Sequence, residues 1–546
     1  IGCLASFIRQ YPCYPLPILW YYYFMTRLDF SKKQQLLFIS ITTLVQFLFI
    51  FVLLYMSGVL SANVLLAFYF TSLLINTGFL CKLTYQRIIS VIALLVVAIQ
   101  LLAYITIGDY LVTEILLNIQ FFKEIGSENV RKLLCFLLLF LTLWFPNIYF
   151  PQLEKSKKSI ALSVAIIVLL FLCPPIYSIY RPLADAYELL ASKTVFDVNL
   201  AEEFKRNTIP NGPIPFSAKG CNVLVIFAEG TSAEIISPEI TPNTYQLKQK
   251  SFSVENYFCH TAPTFRGIRG QLISGYQLHG TDISERILNN PKLVNTPSLQ
   301  TILKNLGYKT CFVTPDPLGD DFDNMISNIG FDKVVRGNNN LEILPDKETY
   351  EILFKTVEGY YEKNEKFLIC TYIEGTHAER DSPHKKYGDG TVACLNKFYN
   401  QDYWFGEFMN KMESKGYLND TLLVFTADHS SFPSVDFVKA FKPKNTFFIG
   451  KVPLYFYRTG ITPQVFDAEN RNSLSLTPTI LNILEETDHP NFFLGNSLFV
   501  KDKTPYERLS VRQSEFVNTE SGKGKLILAP AKDLIDKITR FYNIFG

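Results

Sequence analysis

The sequence lacks the features of several common functional classes. None of its ten cysteines forms a CxxC pair, so neither a cysteine zinc site nor a redox dithiol is expected. Neither GxxxxGK nor GxGxxG occurs, and nucleotide binding therefore has no support. The net charge is only +2 over 546 residues, so nothing points to nucleic acid as a partner. Disulfides stay open at this stage, because sequence alone cannot pair the cysteines.

Apolar residues, in contrast, are abundant and unevenly distributed. They make up 48% of the chain, and the surplus lies before about residue 180. Each of five runs there has roughly the 17–25 residues that cross a bilayer. We therefore predict an α-helical transmembrane domain over residues 1–180, with buried core helices as the alternative reading. The five predicted spans are residues 36–56, 59–80, 88–108, 133–150 and 160–180.

Basic residues orient these spans. They cluster before the first span, between the second and third, and between the fourth and fifth, which the positive-inside rule places in the cytoplasm. Five spans then put the rest of the chain outside the cytoplasm. We interpret residues 110–130 as an interfacial helix or a simple loop, and residues 181–220 as an amphipathic helix followed by a proline-containing linker. The orienting residues are Arg27, Lys32, Lys33, Lys82, Arg87, Lys155, Lys157 and Lys158.

From residue 221 to 546 apolar strands alternate with helical patterns. This alternation predicts an α/β domain with a mainly parallel sheet and helices on both faces. The strand candidates are residues 223–228, 310–313, 367–372, 422–426 and 453–457. The helix candidates are residues 265–273, 298–306, 350–361, 395–414 and 477–486.

Polar residues follow two of these strands directly. NVLVIFAEG ends in Glu229, and TLLVFTADHS ends in Asp428 and His429. Ligands of open α/β sheets bind beyond the carboxyl ends of the strands. Between the two strands, TAPTFRG carries a hydroxyl at Thr264 and a cation at Arg266. We predict that these residues meet around a divalent metal, with Thr264 as a nucleophile.

Each residue also has a structural explanation when it is taken singly. Thr264 resembles a helix N-cap, and Glu229 or the Asp-His pair resembles a cap or turn. Together, however, they form an oxygen-rich set with one imidazole, which suits Mn²⁺, Mg²⁺ or Zn²⁺. Metal coordination would lower the pKa of the Thr264 hydroxyl. Arg266 and a helix amino terminus would stabilise an attacked phosphate.

The soluble half resembles the lipoteichoic acid synthase and phosphoglycerol transferase family, within the alkaline phosphatase and sulfatase superfamily. The resemblance spans about residues 222–499, and its stretches occur in the family's order. It implies a sulfatase-like (alkaline phosphatase-like) extracytoplasmic fold, and five spans before such a domain also fit this family. The matching stretches are NVLVIFAEG, TAPTFRGIRG, TPSLQTILKNLGYKT, FDNMISNIGFDKV, LNDTLLVFTADHS, LTPTILNIL and FFLGNSLF.

The resemblance also implies roles for single residues. Glu229, Asp428 and His429 would bind one divalent metal, with Mn²⁺ favoured, and Thr264 would be its fourth ligand and the nucleophile. His377, in TYIEGTHAER, would bind substrate, as would Arg266; an exposed loop histidine is the plainer reading of His377. Thr264 would take the head group of a phospholipid, glycerol phosphate favoured, and pass it to an envelope glycan or glycolipid. The protein would lie in the bacterial cytoplasmic membrane, with its catalytic domain periplasmic or extracellular.

The chain departs from the synthase pattern near the head-group pocket. Thr314 replaces a histidine, the expected tryptophan and arginine are missing from LGDDFDNM, and Ser475 replaces the aspartate before LTPT. These changes touch the head-group pocket and its supports, so they argue against polymerisation of glycerol phosphate. They spare the metal site, and phosphoryl transfer is therefore still expected.

Three other functions stay in competition. A phosphoethanolamine transferase acting on lipid A or an envelope sugar is the runner-up. A non-catalytic lipid-binding sensor is the alternative of another class, and it predicts broken metal ligands. A sulfatase is disfavoured, because TFR supplies no CxPxR stretch for formylglycine formation.

His260 has no clear counterpart among the motifs of the resembled family, but it lies close to Thr264 in sequence.

Overall fold

The structure is a computed structural model that divides into two compact units, Ile1–Ser192 and Lys193–Gly546. The predicted boundaries at residues 180 and 220 stay a prediction. The described residues are 32–80, 84–107, 110–111, 140, 157–180, 182–184, 187, 201–277, 296–318, 321–337, 343–377, 380–443, 448–512, 515–527 and 531–545.

Helices make up the described part of the first unit. Their residues are apolar and free of prolines in the helix interiors, which favours uninterrupted hydrogen bonding. Pro174 and Pro175 break the last predicted span, because proline cannot donate to the preceding turn. The helices are α1 (Lys32–Met56), α2 (Ala62–Leu80), α3 (Thr84–Ile107), α4 (Lys157–Leu172) and α5 (Pro174–Tyr177).

Two of these helices, α2 and α3, are long and apolar enough to cross a membrane. The bent pair after residue 160 raises the number to three if it forms one span, and α1 carries a shorter apolar stretch, Ser40–Met56. The predicted span at 133–150 lies outside the described residues apart from Phe140, as does the predicted interfacial helix from residue 112 onward. Five spans therefore remain a prediction.

Buried amides connect the apolar helices. Asn76 of α2 donates to Gln46 of α1 at 2.6 Å, and Ser163 of α4 donates to Gln86 of α3 at 2.5 Å. Polar side chains in an apolar helix need such partners, and hydrogen bonds of this kind hold membrane helices together.

An eight-stranded mixed sheet forms the centre of the second unit. Its strand order is β4-β3-β5-β1-β6-β7-β2-β8. Only β7 runs against its neighbours within this sheet, since every other described pair is parallel. The strands are β1 (Asn222–Ala228), β2 (Phe252–Glu255), β3 (Lys309–Val313), β4 (Lys333–Val335), β5 (Phe367–Ile373), β6 (Thr421–Ala427), β7 (Leu454–Tyr457) and β8 (Gln464–Asp467).

Both faces of the sheet are buried, as the continuous apolar runs of β1, β5 and β6 predict. Side chains alternate along a strand, so Val223, Val225 and Phe227 enter one core, and Leu224 and Ile226 enter the other. The helices on the first face are α7 (Thr264–Ile273), α8 (Leu299–Asn305) and α13 (Leu476–Ile483). Those on the second face include α10 (Asp346–Glu362) and α11 (Ala393–Ser414).

Several shorter elements escaped the sequence patterns. Strands β2, β4 and β8 have only three or four residues, too few for a periodicity. A second sheet, which has three antiparallel strands, lies after residue 499, where the stretches that resemble the synthase family end. The additional elements are α6 (Pro242–Lys250), α9 (Asp321–Ser327), α12 (Val435–Phe441), α14 (Lys532–Phe545), β9 (Leu509–Arg512), β10 (Glu515–Asn518), β11 (Lys525–Ile527) and the 3₁₀ turns Glu202–Phe204, Ala233–Ile235, Tyr417–Asn419 and Ser473–Ser475.

The proline-containing segment before β1 is attached to the second unit. Ile209 donates its amide to Thr487 O at 2.8 Å, and Ala218 donates to Ile483 O at 3.0 Å. Of the predicted amphipathic helix before it, only residues from 201 onward and four scattered earlier ones are described. Thus the expected linker packs along the domain at the end of α13.

Six cysteines fall within the described residues, and all are free and buried: Cys173, Cys221, Cys259, Cys311, Cys370 and Cys394. A buried cysteine without a partner acts as a small apolar residue. No disulfide bond therefore stabilises the part of the chain that the structure describes.

Gly267 allows α7 to touch the end of β6. A Cβ at this position would lie 2.2 Å from the carbonyl oxygen of Asp428. We expect Gly267→Ala to destabilise the chain by about 1–3 kcal/mol, because a backbone atom cannot move aside cheaply. Chemical unfolding of the purified chain measures this change.

Gly359 provides the matched control, since it lies inside α10 and nothing lies within 4 Å of the place that a Cβ would take there. Gly359→Ala should be neutral or stabilise by up to about 1 kcal/mol through helix propensity. Equal stabilities of the Gly267→Ala variant and the unchanged chain would contradict the close helix–strand contact.

Candidate active site

Two neighbouring strands bring the predicted acids together. Strands β1 and β6 are parallel, with Ala228 opposite Ala427, so Glu229 and Asp428 leave the same edge of the sheet side by side. One ligand atom from each of Glu229, Asp428 and His429 lies within 4.8 Å of the others. All three residues are buried. The structure therefore brings together the three residues predicted to hold a metal.

Thr264 joins this cluster from the first turn of α7. Its Oγ1 donates to Glu229 Oε2 at 2.9 Å and lies 3.4 Å from His429 Nε2. The N-cap position is occupied by Pro263, and no side chain caps the helix there. The Thr264 hydroxyl thus forms its hydrogen bond with the acidic cluster and not with a backbone amide of the helix. Thr264 is therefore not the N-cap of α7.

The tautomer of His429 is set by the backbone. Its Nδ1 lies 2.8 Å from Ser430 O, which can only accept, so Nδ1 carries the hydrogen. A neutral ring then presents a lone pair at Nε2. This nitrogen lies 3.3 Å from Asp428 Oδ2 and 3.5 Å from Glu229 Oε1. The ligand atoms of Glu229, Asp428 and His429 consequently face one another in a buried space.

Such a cluster is unfavourable without a positive charge at its centre. Asp428 Oδ1 accepts the amides of Gly230 and His429, whereas buried Oδ2 has no hydrogen-bond partner among the described residues. A buried acceptor without a donor costs free energy. The donor set, two carboxylates and one imidazole, fits a divalent cation such as Mn²⁺, Mg²⁺ or Zn²⁺.

The pKa values of the two acids diverge for the same reason. Burial raises the pKa of Asp428 far above its ordinary range, and the neighbouring Glu229 charge raises it further. Burial also opposes ionisation of Glu229, but His429, His377 and hydrogen bonds outweigh it and lower that pKa. Two adjacent buried carboxyls cannot both ionise unless a cation balances them.

Strand β5 and the loop after it contribute two residues that the sequence reasoning missed. The hydroxyl of Tyr372 donates to Glu229 Oε2 at 2.8 Å, and the hydroxyl of Thr376 donates to Glu229 O at 2.6 Å. Because β5 pairs with β1, its carboxyl end meets the same edge of the sheet. A prediction that β5 lies beside β1 could have drawn attention to Tyr372. No further sign was present in the sequence, because Tyr372 lies in a buried apolar strand and resembles a core residue.

His377 lies on the loop after β5, with an exposed side chain. After burial and His429, an electrostatic interaction with His377 is among the causes that act on the pKa of Glu229, and it lowers that pKa. The buried Lys397 donates to His377 O at 3.0 Å, and the amide of Gly375 donates to Asp346 at 3.0 Å. These two contacts hold the loop in place. A substrate-binding role for His377 stays a prediction.

Arg266 and His260 are both buried, Arg266 within α7 and His260 just before it. Arg266 is 3% exposed, and its predicted contact with substrate stays untested. The Nδ1 of His260 is 2.7 Å from the Ser473 hydroxyl, and burial lowers its pKa to about 3. His260 is therefore a neutral, internally hydrogen-bonded histidine.

The unexpected Ser475 has a carboxylate partner. Its hydroxyl donates to Glu507 Oε1 at 2.8 Å, and Glu507 also accepts the amides of Asn496 and Thr504. Glu507 is completely buried. Ser475 is thus hydrogen-bonded to a buried acid 32 residues further along the chain.

The protein family described as Sulfatase matches residues 221–486. No curated protein matches the chain.

Solved structures with a similar arrangement share little sequence with the chain. A protein of the alkaline phosphatase superfamily from Vibrio parahaemolyticus is 18% identical, with a TM-score of 0.49, over 66% of this chain and 93% of that one. The lipoteichoic acid synthase LtaP from Listeria monocytogenes is 15% identical, with a TM-score of 0.46, over 64% and 97%. The C-terminal periplasmic domain of EcEptC from Escherichia coli is 14% identical, with a TM-score of 0.40, over 57% and 96%.

Glu374 should make stability depend on pH. Burial raises its pKa to about 8, although Arg380 at 2.8 Å opposes the shift. The folded chain then holds a proton that the unfolded chain releases near pH 4.5. The contribution of Glu374 to the free energy of unfolding should therefore fall from about pH 4.5 to about pH 8, by at most about 1.4 kcal/mol per pH unit.

Comparing the free energies of unfolding of the unchanged chain and Glu374→Gln across this pH range tests the effect. The glutamine variant should lack this part of the pH slope. Glu358→Gln is the control, because Glu358 pairs with Lys415 near the surface. A slope that is the same in all three proteins would rule out the buried proton.

Proposed function

From the premise that residues 221–486 are a sulfatase family domain, we propose that the chain is a membrane-bound, metal-dependent phosphotransferase. The observation that carries this proposal is the Thr264 hydroxyl, which donates to Glu229 at 2.9 Å beside His429. Enzymes of the sulfatase superfamily use a divalent metal. Glu229, Asp428 and His429 would hold it here, with Thr264 as the fourth ligand and Mn²⁺ favoured.

A bound divalent cation would lower the pKa of the Thr264 hydroxyl and offset charge on the attacked phosphate. Glu229 Oε2 already accepts the hydroxyl hydrogen, so it is the nearest base for that proton. The position of Thr264 at the amino terminus of α7 favours an anion, because the first amides of a helix point outward. Arg266 and His377 are the proposed substrate-binding residues.

The reaction has two steps. In the first, Thr264 Oγ1 forms a bond to the phosphorus of a phospholipid head group, and the bond from phosphorus to the lipid oxygen breaks. The lipid leaves as diacylglycerol after its oxygen takes up a proton. In the second step, the oxygen of an acceptor hydroxyl on an envelope glycan or glycolipid forms a bond to phosphorus, and the bond from phosphorus to Thr264 Oγ1 breaks. The proton released by the acceptor restores the Thr264 hydroxyl.

The head group has two candidates. Glycerol phosphate is favoured by the matching stretches of sequence. Phosphoethanolamine is favoured by the buried acid Asp316, which follows β3 at the edge of the sheet where Glu229 follows β1. A carboxylate at this edge would attract the ammonium group of that head group.

The apolar helices support a membrane location for the protein. Helices α2 and α3 are suited to a bilayer by length and composition. We place the chain in the bacterial cytoplasmic membrane as a multi-pass protein, with residues 221–546 on the periplasmic or extracellular side. A phospholipid donor would reach the domain from the same membrane.

Removal of the nucleophile tests this function. Thr264→Ala should lower head-group release from labelled phosphatidylglycerol or phosphatidylethanolamine by several orders of magnitude, as loss of an activated nucleophile does in other enzymes. Thr264→Ser keeps the hydroxyl and should retain part of the activity. Mass spectrometry of the unchanged chain should find the head group on Thr264, and the preferred lipid identifies the donor.

The matched control is Thr356→Ala in α10, where the hydroxyl donates to Ile352 O of its own helix. This variant should keep full activity. Equal turnover by Thr264→Ala would refute the nucleophile. A chain that binds lipid but releases no head group in any form would instead support the sensor alternative.

A further inference from the structure

Tyr372 is the second hydroxyl on the proposed metal-binding carboxylate. It lies next to last in β5 and is 4% exposed. Its hydroxyl is 2.8 Å from Glu229 Oε2, the same oxygen that accepts Thr264 at 2.9 Å. One carboxylate oxygen thus receives both hydroxyls, which leaves Glu229 Oε1 on the side of His429.

The ring of Tyr372 is fixed by its surroundings. Phe322 packs on it with ring centroids 5.0 Å apart, and Phe322 also contacts Phe265 of α7. Tyr372 pairs with Phe227 of β1, two residues before Glu229. The Glu229 amide donates to Ile373 O at 3.0 Å. The end of β5 therefore holds Glu229 by its backbone as well as by its side chain.

Tyr372 acts as a hydrogen-bond donor toward Glu229. A carboxylate oxygen can only accept, so the phenolic hydrogen lies between the Tyr372 hydroxyl and Glu229 Oε2.

We propose that Tyr372 is a positioning residue of the metal site, which locks the Glu229 carboxylate so that Oε1 faces the cation and Oε2 faces Thr264. This inference rests on the proposed function. It assigns Tyr372 a further part in the reaction: when the Thr264 hydroxyl loses its proton, it can no longer donate to Oε2. Tyr372 then remains as the hydroxyl donor that holds the carboxylate in place.

The consequence is a weaker metal site without the hydroxyl. Outer partners of metal ligands typically change metal affinity or activity by about 10–100-fold when they are lost. Tyr372→Phe removes one oxygen and keeps the ring contacts with Phe322. We expect its affinity for Mn²⁺ to fall by about 10–100-fold. Calorimetric titration of the full, metal-stripped chain in detergent measures this affinity.

Tyr308→Phe is the matched control. Tyr308 is equally buried, and its hydroxyl donates to Cys221 O at 3.0 Å, before the start of β1 and away from Glu229. This variant should bind Mn²⁺ like the unchanged chain. If the unchanged chain binds no Mn²⁺, the proposed metal site itself fails. If the unchanged chain binds Mn²⁺ and Tyr372→Phe binds it equally well, only the role of Tyr372 is overturned.

A double-mutant cycle separates positioning from general loss of stability. If Tyr372 acts through Glu229, Tyr372→Phe should cost no further Mn²⁺ affinity in a Glu229→Gln background. A loss of the same size in both backgrounds would show that the tyrosine acts by another route. The amount of head group on Thr264 at saturating Mn²⁺ gives a second readout, and it should also fall in Tyr372→Phe.

Discussion

The site depends on one electrostatic constraint: two carboxyl groups and an imidazole share a buried space. Glu229, Asp428 and His429 would repel one another there if all carried their usual lone pairs and charges. Burial, together with the neighbouring Glu229 charge, raises the pKa of Asp428, so a proton on Asp428 would relieve this repulsion when no metal is bound. A divalent cation would take over from that proton, so metal binding and proton release are expected to be coupled.

The scaffold around the site resists this repulsion. The loops after β1 and β6 are tied together by reciprocal bonds between Ser232 and Ser431, and Ser431 also donates to Gly230 O. Helix α7 is fixed to the end of β6 by Gln271, which donates to Ala427 O at 3.0 Å. These contacts hold Thr264 against the acids, because the helix cannot slide without breaking them. Hydrogen bonds between rigid elements give such a site its precision.

Sequence patterns predicted the residues of the site that lie at the ends of strands. Glu229 and Asp428 follow long apolar strands, and parallel strands end at a common edge, so their meeting could be predicted. The reversal of β7 could not be, since four apolar residues carry no sign of direction. Nor could Tyr372, because an aromatic residue in a buried strand resembles any other core residue until its partner is known. The spans before residue 180 were predicted from length and composition, and α2 and α3 have both.

Supporting contacts were the least predictable, because their partners lie far apart in the chain. Ser475 meets the carboxylate of Glu507, and Tyr372 meets Glu229 from 143 residues away. A resemblance between short stretches aligns the residues that do the chemistry but does not reveal which distant side chain now supports them. Ser475 illustrates the point: it looked like a lost acid, yet the buried space around it still contains one. A departure from a family pattern therefore tests function only once the neighbours of the changed residue are known.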